Sequence, residues 1–351
     1  MKSNKHIAII TPGFPESEKD DNCIPPLQDY LELLSTKNNI KISVIALQYP
    51  ATKSNYRWHN VDVYALGGND VKFPRRFLIW TKVISIFQYI NADNSVYAIH
   101  SFWLSECALI GNYISSRFGI KHINTVMGKE ARRSNRYLHF INFDKLKLIA
   151  LSERQVDSIK MATRRNADKI ILWGLDKNSL PAFENSERKI DILGVGSLIT
   201  LKNYTSFINI IHKLKEFKPD INCVIIGEGQ LKEKLYDQIK SLGLEINISL
   251  AGNLHRDQVF EYMTQSKILL HTSNYESFGM VFIEALYYGM HIVSKPVGIA
   301  EVTNRWNICN SDSEFITAII RLLQNPIDHE QVLLHSLEDT VNAYLRIYFS
   351  L

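Results

Sequence analysis

Short apolar runs of strand length alternate with helical periodicity along nearly all of the 351 residues, and this alternation constrains the fold more than any other feature. Residues 5–11, 40–47, 61–66, 96–100, 122–126 and 146–151 read as strands. Residues 24–34, 76–90, 103–118, 129–140 and 153–162 read as helices. Residues 173–188, polar and broken by Gly174 and Pro181, read as a linker. The alternation then restarts, with strands at 190–195, 222–226, 248–251, 268–271 and 291–293 and helices at 203–217, 230–242, 257–265, 280–288 and 314–323. Strands this uniformly apolar predict parallel sheets covered on both faces, and the restart predicts two doubly wound α/β domains. The expected division is 1–175 and 186–326, with 327–351 a last helix after Pro326. In such folds the loops at strand C-terminal ends carry the ligand, so a cleft between the domains is the default site.

Composition narrows the function classes. No apolar run reaches about 18 residues, so no transmembrane helix is expected. The first six residues lead into a strand without the apolar core of a signal peptide. Cys23, Cys107, Cys223 and Cys309 lie far apart, which fits a reducing cytosol and neither a disulfide framework nor a zinc site. There is no D-x-D, no Walker lysine motif, no G-x-S-x-G and no nucleic-acid module, so neither a metal site nor a nucleic-acid partner is expected. Net charge is +4, unevenly placed: residues 1–185 hold 25 Lys+Arg against 17 Asp+Glu, whereas the remainder holds 15 against 19. The first half is suited to an anionic partner.

The most informative stretch runs from Asn274 through Glu276, Ser277, Phe278, Gly279 and Met280 to Glu284. A strand ends at His271, a polar loop follows, and a helix starts near Gly279. Backbone N–H groups of Phe278, Gly279 and Met280 would point out of that helix start, an arrangement that binds anions, commonly phosphate. Gly279 admits the anion close to the backbone. Glu276 and Glu284 would accept hydrogen bonds from hydroxyls on either side, such as a sugar's and a ribose's. The same residues also fit a capping glutamate and an exposed one. A second stretch, Gly194 to Asn203, carries Gly196 and Ser197 after a strand and Lys202 at the far end of the loop, where its charge could meet a diphosphate. A third, Gly227-Glu228-Gly229, again ends a strand in glycines. Both fit ordinary strand-to-helix turns as well.

Lys129, Arg132, Arg133 and Arg136 are spaced to share one face of a helix, which predicts either an anion site or a solvated face. Residues 72–82 mix Lys72, Arg75, Arg76 and Lys82 with large apolar side chains. That mixture fits either a segment lying on an anionic membrane or a core helix with a basic start.

These residues resemble the retaining glycosyltransferases of family 4, whose fold is GT-B. Glu276-Ser277-Phe278-Gly279 with Glu284 is similar to the family's paired-glutamate motif. Residues 196–203 are similar to the first loop of its C-terminal domain. In the first half, residues 12–15, His100 to Trp103 and 127–130 are similar to its acceptor-side loops. The resemblance implies that Glu276 holds the donor sugar's hydroxyls and Glu284 the ribose. It implies that Phe278 to Met280 lie against sugar and phosphate, and that Lys202 neutralises the departing diphosphate. Gly13 would let the first domain close on the phosphates, and the last helix would cross back to that domain. Two positions depart from the family's usual pattern. Ser197 stands where an arginine often lies beside the diphosphate, which removes a charge-assisted contact of about 1.5–3 kcal/mol unless another cation replaces it, as Arg132 or Arg133 could on domain closure. Met127 stands where a histidine often lies near the donor sugar.

The expected activity is transfer of a sugar, with retained anomeric configuration, from a UDP- or GDP-sugar to a glycan or lipid-linked glycan acceptor. The setting would be bacterial surface polysaccharide or lipopolysaccharide synthesis, with His100, Lys129, Arg132, Arg133 and Arg136 on the acceptor or anion side. No cofactor is expected, the nucleotide sugar being a co-substrate. The expected location is cytoplasmic, with peripheral contact at the inner face of the membrane. A nucleotide-sugar epimerase of the same fold and a non-catalytic nucleotide-sugar or membrane-binding protein are the alternatives.

Overall fold

Two parallel sheets organise the computed structural model, which describes residues 5–72, 74–182, 187–301, 303–325 and 328–349. Unit 1 comprises residues 1–174 together with 337–351, and unit 2 comprises residues 175–336. Unit 1 contains β1 (Lys5–Gly13), α1 (Pro25–Ser35), β2 (Ile40–Tyr49), β3 (Ser54–Trp58), β4 (Val61–Ala65), α2 (Arg76–Asp93), β5 (Val96–Phe102), α3 (Glu106–Phe118), β6 (Lys121–Thr125), β7 (Lys147–Ala150), α4 (Glu153–Thr163) and β8 (Lys169–Ile170). Unit 2 contains β9 (Ile190–Val195), α5 (Tyr204–Phe217), β10 (Cys223–Ile226), α6 (Lys232–Ser241), β11 (Ile248–Gly252), α7 (Arg256–Thr264), β12 (Ser266–His271), α8 (Met280–Tyr287), β13 (His291–Ser294), β14 (Trp306–Ile308) and α9 (Asp312–Gln324). The last element, α10 (Leu337–Phe349), belongs to unit 1.

The sheet of unit 1 has the order β3-β4-β2-β1-β5-β6-β7-β8, and that of unit 2 the order β11-β10-β9-β12-β13-β14. Every pairing is parallel except β3 with β4. In each sheet the chain winds outward to one side and then to the other, so the strand order reverses between β1 and β5 and between β9 and β12. Such switch points leave a crevice at the strand C-terminal ends. The central strands are apolar on both faces because helices cover both: Ile7, Ala8, Ile9 and Ile10 of β1 are all fully buried.

An aromatic cluster ties α10 to the rest of unit 1. The Tyr30 and Tyr348 hydroxyls lie 2.7 Å apart, Tyr348 Oη is 2.5 Å from His100 Nδ1, and Tyr344 Oη is 2.8 Å from Thr125 Oγ1. Trp173 stacks on Tyr30 at 5.8 Å between ring centroids. Aromatic pairs of this kind add about 0.5–1.5 kcal/mol each beyond their burial.

Several sequence expectations are corrected. Residues 129–140 are turns ending in one 3-10 turn, Arg136–Phe140, and not a helix. Side chains here compete for the backbone. Glu130 Oε1 accepts from the amides of Met127 at 2.7 Å and Leu104 at 3.3 Å. The Asn135 amide donates to the carbonyls of Leu104 at 2.7 Å and Glu130 at 2.9 Å. Both ends of the expected linker are built into the units. Trp173 is buried against Tyr344, while Arg188 is buried and donates to the carbonyls of Met263 (3.1 Å), Ser266 and Tyr288 (2.7 Å) near the C-terminal ends of α7 and α8. Phe183 to Ser186 and Pro326 lie outside the described residues. The tail is not helical from 328. Arg305 pairs with Asp328 and donates to the Glu330 carbonyl at 2.7 Å, and the helix starts only at Leu337. The third helix begins at Glu106, because Trp103 takes a left-handed φ of 67°. β3, β8 and β14 are further strands that the sequence reading lacks, β8 and β14 being only two and three residues long.

Residues 76–93 form a core helix, with Ile79, Val83, Phe87 and Ile90 buried, although Phe77 and Leu78 at its start are more than half exposed. Phe73 lies outside the described residues. Among the described residues no helix is long and apolar enough to cross a membrane.

Candidate active site

The site is built at the switch point of unit 2. β9 and β12 are neighbours, in register at Ile192↔Ile268 and Leu193↔Leu269, so the loops that follow them emerge side by side. Hydrogen bonds stitch the two loops together. Thr272 Oγ1 donates to the carbonyls of Lys202 (3.1 Å) and Asn203 (3.0 Å), and the Asn274 amide donates to the Leu201 carbonyl at 2.9 Å. Lys202, at the end of the 3-10 turn Thr200–Lys202, is thereby brought to Glu276 across 74 residues of sequence. Its ammonium pairs with Glu276 Oε1.

His271, the last residue of β12, is the third member of this cluster. Its Nε2 lies 3.0 Å from Glu276 Oε1, and an ionised carboxylate only accepts, so this nitrogen carries the proton. The ring is buried edge-on against Phe282, 4.7 Å between centroids. Burial alone would raise the Glu276 pKa. The His271 hydrogen bond and the Lys202 charge outweigh it and hold the carboxyl at about 2. Burial, with a further push from Lys202, lowers the pKa of His271 despite the carboxylate beside it, so its ring stays neutral.

Gly279 stands at the N-terminal end of α8 with φ of 92°, a left-handed conformation that L side chains rarely take. A Cβ there would also run into the Phe282 ring. The amides of Phe278, Gly279 and Met280 fall at the helix start, where N–H groups have no partner within the helix. Phe278 is buried, whereas Ser277 and Met280 are half-buried. Glu284 lies one turn further on, half-buried, with the Arg256 guanidinium 3.8 Å from its Oε1. On the other side, Gly227 (φ 146°) abuts the β9 loop so closely that a Cβ would overlap the Gly196 carbonyl. Ser197 is exposed between them.

Three neighbours escaped the sequence reading. His271 ends a predicted strand five residues before Glu276, a signal that strand-end reasoning could have used. Arg256 and Lys295, whose Nζ donates to Asn274 Oδ1 at 2.8 Å, are remote in sequence and carry no local signal.

The residues assigned to unit 1 do not form one cluster. His100 is fully buried, with Nε2 2.8 Å from Thr125 Oγ1 and Nδ1 on Tyr348, and burial holds its pKa well below the ordinary histidine value. It is a neutral internal tie rather than an anion ligand. Arg132 and Arg136 border an apolar groove with α2 and α3. Arg133 turns away and donates to the Met161 carbonyl at 3.2 Å, and Lys129 does not line that groove. Gly13 ends β1 at its switch point.

Two doubly wound parallel sheets, with glycine-ended strands and an acid–base–cation cluster at a helix start, define the class: the fold is GT-B. Residues 176–333 match the family Glycosyl transferases group 1. An uncharacterised glycosyltransferase of Haemophilus influenzae is 26% identical over 286 residues, covering 76% of this chain and 77% of that protein. The N-acetylgalactosamine-N,N'-diacetylbacillosaminyl-diphospho-undecaprenol 4-alpha-N-acetylgalactosaminyltransferase of Campylobacter jejuni is 37% identical over 95 residues, 27% of this chain and 25% of that protein. Other curated relatives are likewise matched over less than half of their own length. The solved structure of Anabaena Alr3699/HepE with UDP and glucose superposes with a TM-score of 0.70 at 15% identity, covering 98% of this chain and 99% of that one. Most of unit 2 therefore matches a glycosyltransferase family, and the whole chain shares its fold with solved glycosyltransferases.

Proposed function

We propose that the chain is a retaining glycosyltransferase of family 4, moving a sugar from a UDP- or GDP-sugar to an acceptor hydroxyl in the synthesis of a bacterial surface polysaccharide or lipopolysaccharide. The observation that carries this reading is the cluster of Glu276, Lys202 and His271 at the N-terminal end of α8. An ionised Glu276 accepts hydrogen bonds from donor-sugar hydroxyls. The Lys202 ammonium has three N–H donors, of which Glu276 takes one, leaving donors for the diphosphate. As the sugar–oxygen bond breaks, negative charge grows on the leaving phosphate. The amides of Phe278 to Met280 and the Lys202 charge stabilise it there. Glu284 takes the ribose. The acceptor oxygen attacks from the face the phosphate leaves, and the departing phosphate oxygen takes its proton, which retains configuration. No organic cofactor enters this scheme. The basic first half supports an anionic acceptor at the inner face of the cytoplasmic membrane.

The test is nucleoside diphosphate release and calorimetric binding with a panel of UDP- and GDP-sugars, using wild type, Glu276→Ala and Lys202→Ala. One donor should bind and turn over, with both lost in each variant. Wild type that binds no nucleotide sugar would refute the reading.

A further inference from the structure

We propose that the groove between α2, α3 and residues 130–140 seats the aliphatic chain of a lipid whose phosphate headgroup pairs with Arg132 and Arg136. This rests on the transferase reading for its purpose, since the lipid would be the acceptor's carrier, but its chemistry stands on unit 1 alone. The groove holds about 1080 Å³ and opens to solvent, just above the usual range for small-molecule sites. Its walls are Phe77, Trp80 and Ile84 of α2, Leu109 and Tyr113 of α3, and Phe140. Phe77, Tyr113 and Phe140 are each more than half exposed, an apolar surface that a soluble protein seldom leaves uncovered.

The floor is fixed. Trp80 Nε1 donates to Glu106 Oε2 at 3.0 Å, and Glu106 also receives two hydrogen bonds from Arg76, at 2.6 and 2.7 Å. The groove is therefore held open by a neutralised, buried polar network rather than by loose side chains. Charge is confined to one wall. Arg132 and Arg136 lie on the 130–140 segment, both exposed, and no carboxylate of a described residue pairs with either. The competition of Glu130 and Asn135 for the backbone, which stops residues 129–140 from becoming a helix, is what turns these two arginines to the groove and Arg133 away from it.

An occupant must then be apolar along most of its length and anionic at one end. A second copy of this chain would have to bring carboxylates to Arg132 and Arg136, and the one carboxylate in the groove lining, Glu130, already accepts from the amides of Met127 and Leu104. Free phosphate would leave the apolar walls wet.

The experiment titrates the full chain with monomeric dodecyl phosphate, and with hexyl phosphate, dodecyl maltoside and inorganic phosphate as controls. Dodecyl phosphate should bind one per chain, at least tenfold tighter than hexyl phosphate, given the gain expected for each buried methylene. Inorganic phosphate should not bind. Thr81→Trp, which adds bulk from an exposed position on the groove wall, should weaken both dodecyl ligands at least tenfold and leave nucleotide-sugar binding unchanged. Arg132→Ala with Arg136→Ala should weaken dodecyl phosphate about tenfold or more and spare dodecyl maltoside.

Equal binding of the two alkyl phosphates, or an unchanged Thr81→Trp variant, would overturn the proposal. So would anionic-vesicle binding that Thr81→Trp does not affect, which would indicate surface adsorption. Micromolar dimerisation without alkyl phosphate binding would replace the lipid with a second copy. Dodecyl phosphate binding in a chain that binds no nucleotide sugar would uphold the groove and refute the transferase reading.

Discussion

Substituting Glu276 by Gln removes the charge and keeps the shape, and the structure sets the size and pH range of the effect. The Glu276 carboxyl sits at about 2 in the folded chain against an ordinary 4.5. A depression of that size corresponds to about 3 kcal/mol of stabilisation, which already includes the contributions of Lys202 and His271. Because the folded value is the lower one, the stabilisation is complete above pH about 4.5 and disappears as pH falls through about 2. Roughly half remains near pH 3.3. Two domains rarely unfold as one, so the measurement should be local: hydrogen exchange of the amides in β12 and α8, wild type against Glu276→Gln at each pH. The wild-type advantage should be about 3 kcal/mol and flat from pH 7 to 5, then shrink steadily toward pH 3. An advantage that is the same at pH 7 and pH 3, or absent at pH 7, would show that Lys202 and His271 do not hold this carboxylate ionised. Removing His271 alone leaves Lys202 in place and Glu276 ionised at neutral pH. Activity lost in His271→Ala would therefore come from misplacement of the carboxylate and not from its protonation.

Two other changes separate loop geometry from framework. Gly227→Ala places a Cβ against the Gly196 carbonyl at a φ of 146°, so it should displace the loop that carries Lys202 and weaken nucleotide-sugar binding at least tenfold by calorimetry; wild-type affinity would refute the close approach. Arg188→Met leaves the carbonyls of Met263, Ser266 and Tyr288 short of their donor. It should destabilise unit 2 by about 3 kcal/mol or more and lower its melting transition by about 6–12 °C; a shift within about 2 °C in scanning calorimetry would contradict that role.

How far the sequence could be read follows from the distance over which each feature is determined. The central strands were legible because burial on both faces is written into consecutive residues, as in Ile7 to Ile10. The paired glutamates and the glycines at strand ends were legible because each turn is specified by its own residues. Periodicity misled at 129–140, where the spacing of four cations imitates a helix face while Glu130 and Asn135 take up the backbone amides and carbonyls. The resemblance that put His100 on the acceptor side did not foresee its burial. The residues that enclose it, Tyr344 and Tyr348, come from a helix more than 240 residues later.

The electrostatics of the site show the same division. That Glu276 and Lys202 are of opposite charge is evident from the sequence, but their pairing depends on β9 lying next to β12, a property of sheet order that no local pattern encodes. Sheet order also selects His271. Ending β12 beside the Lys202 loop, it is the residue the switch point aims at Glu276, whereas His291, starting the neighbouring β13, faces the Asp328 carbonyl at the opposite strand ends. The two histidines thus receive different tasks from their positions at opposite ends of parallel strands. A search for partners of a motif glutamate in a doubly wound domain should therefore begin with the last residue of the strand before it and the loop after the strand across the switch point.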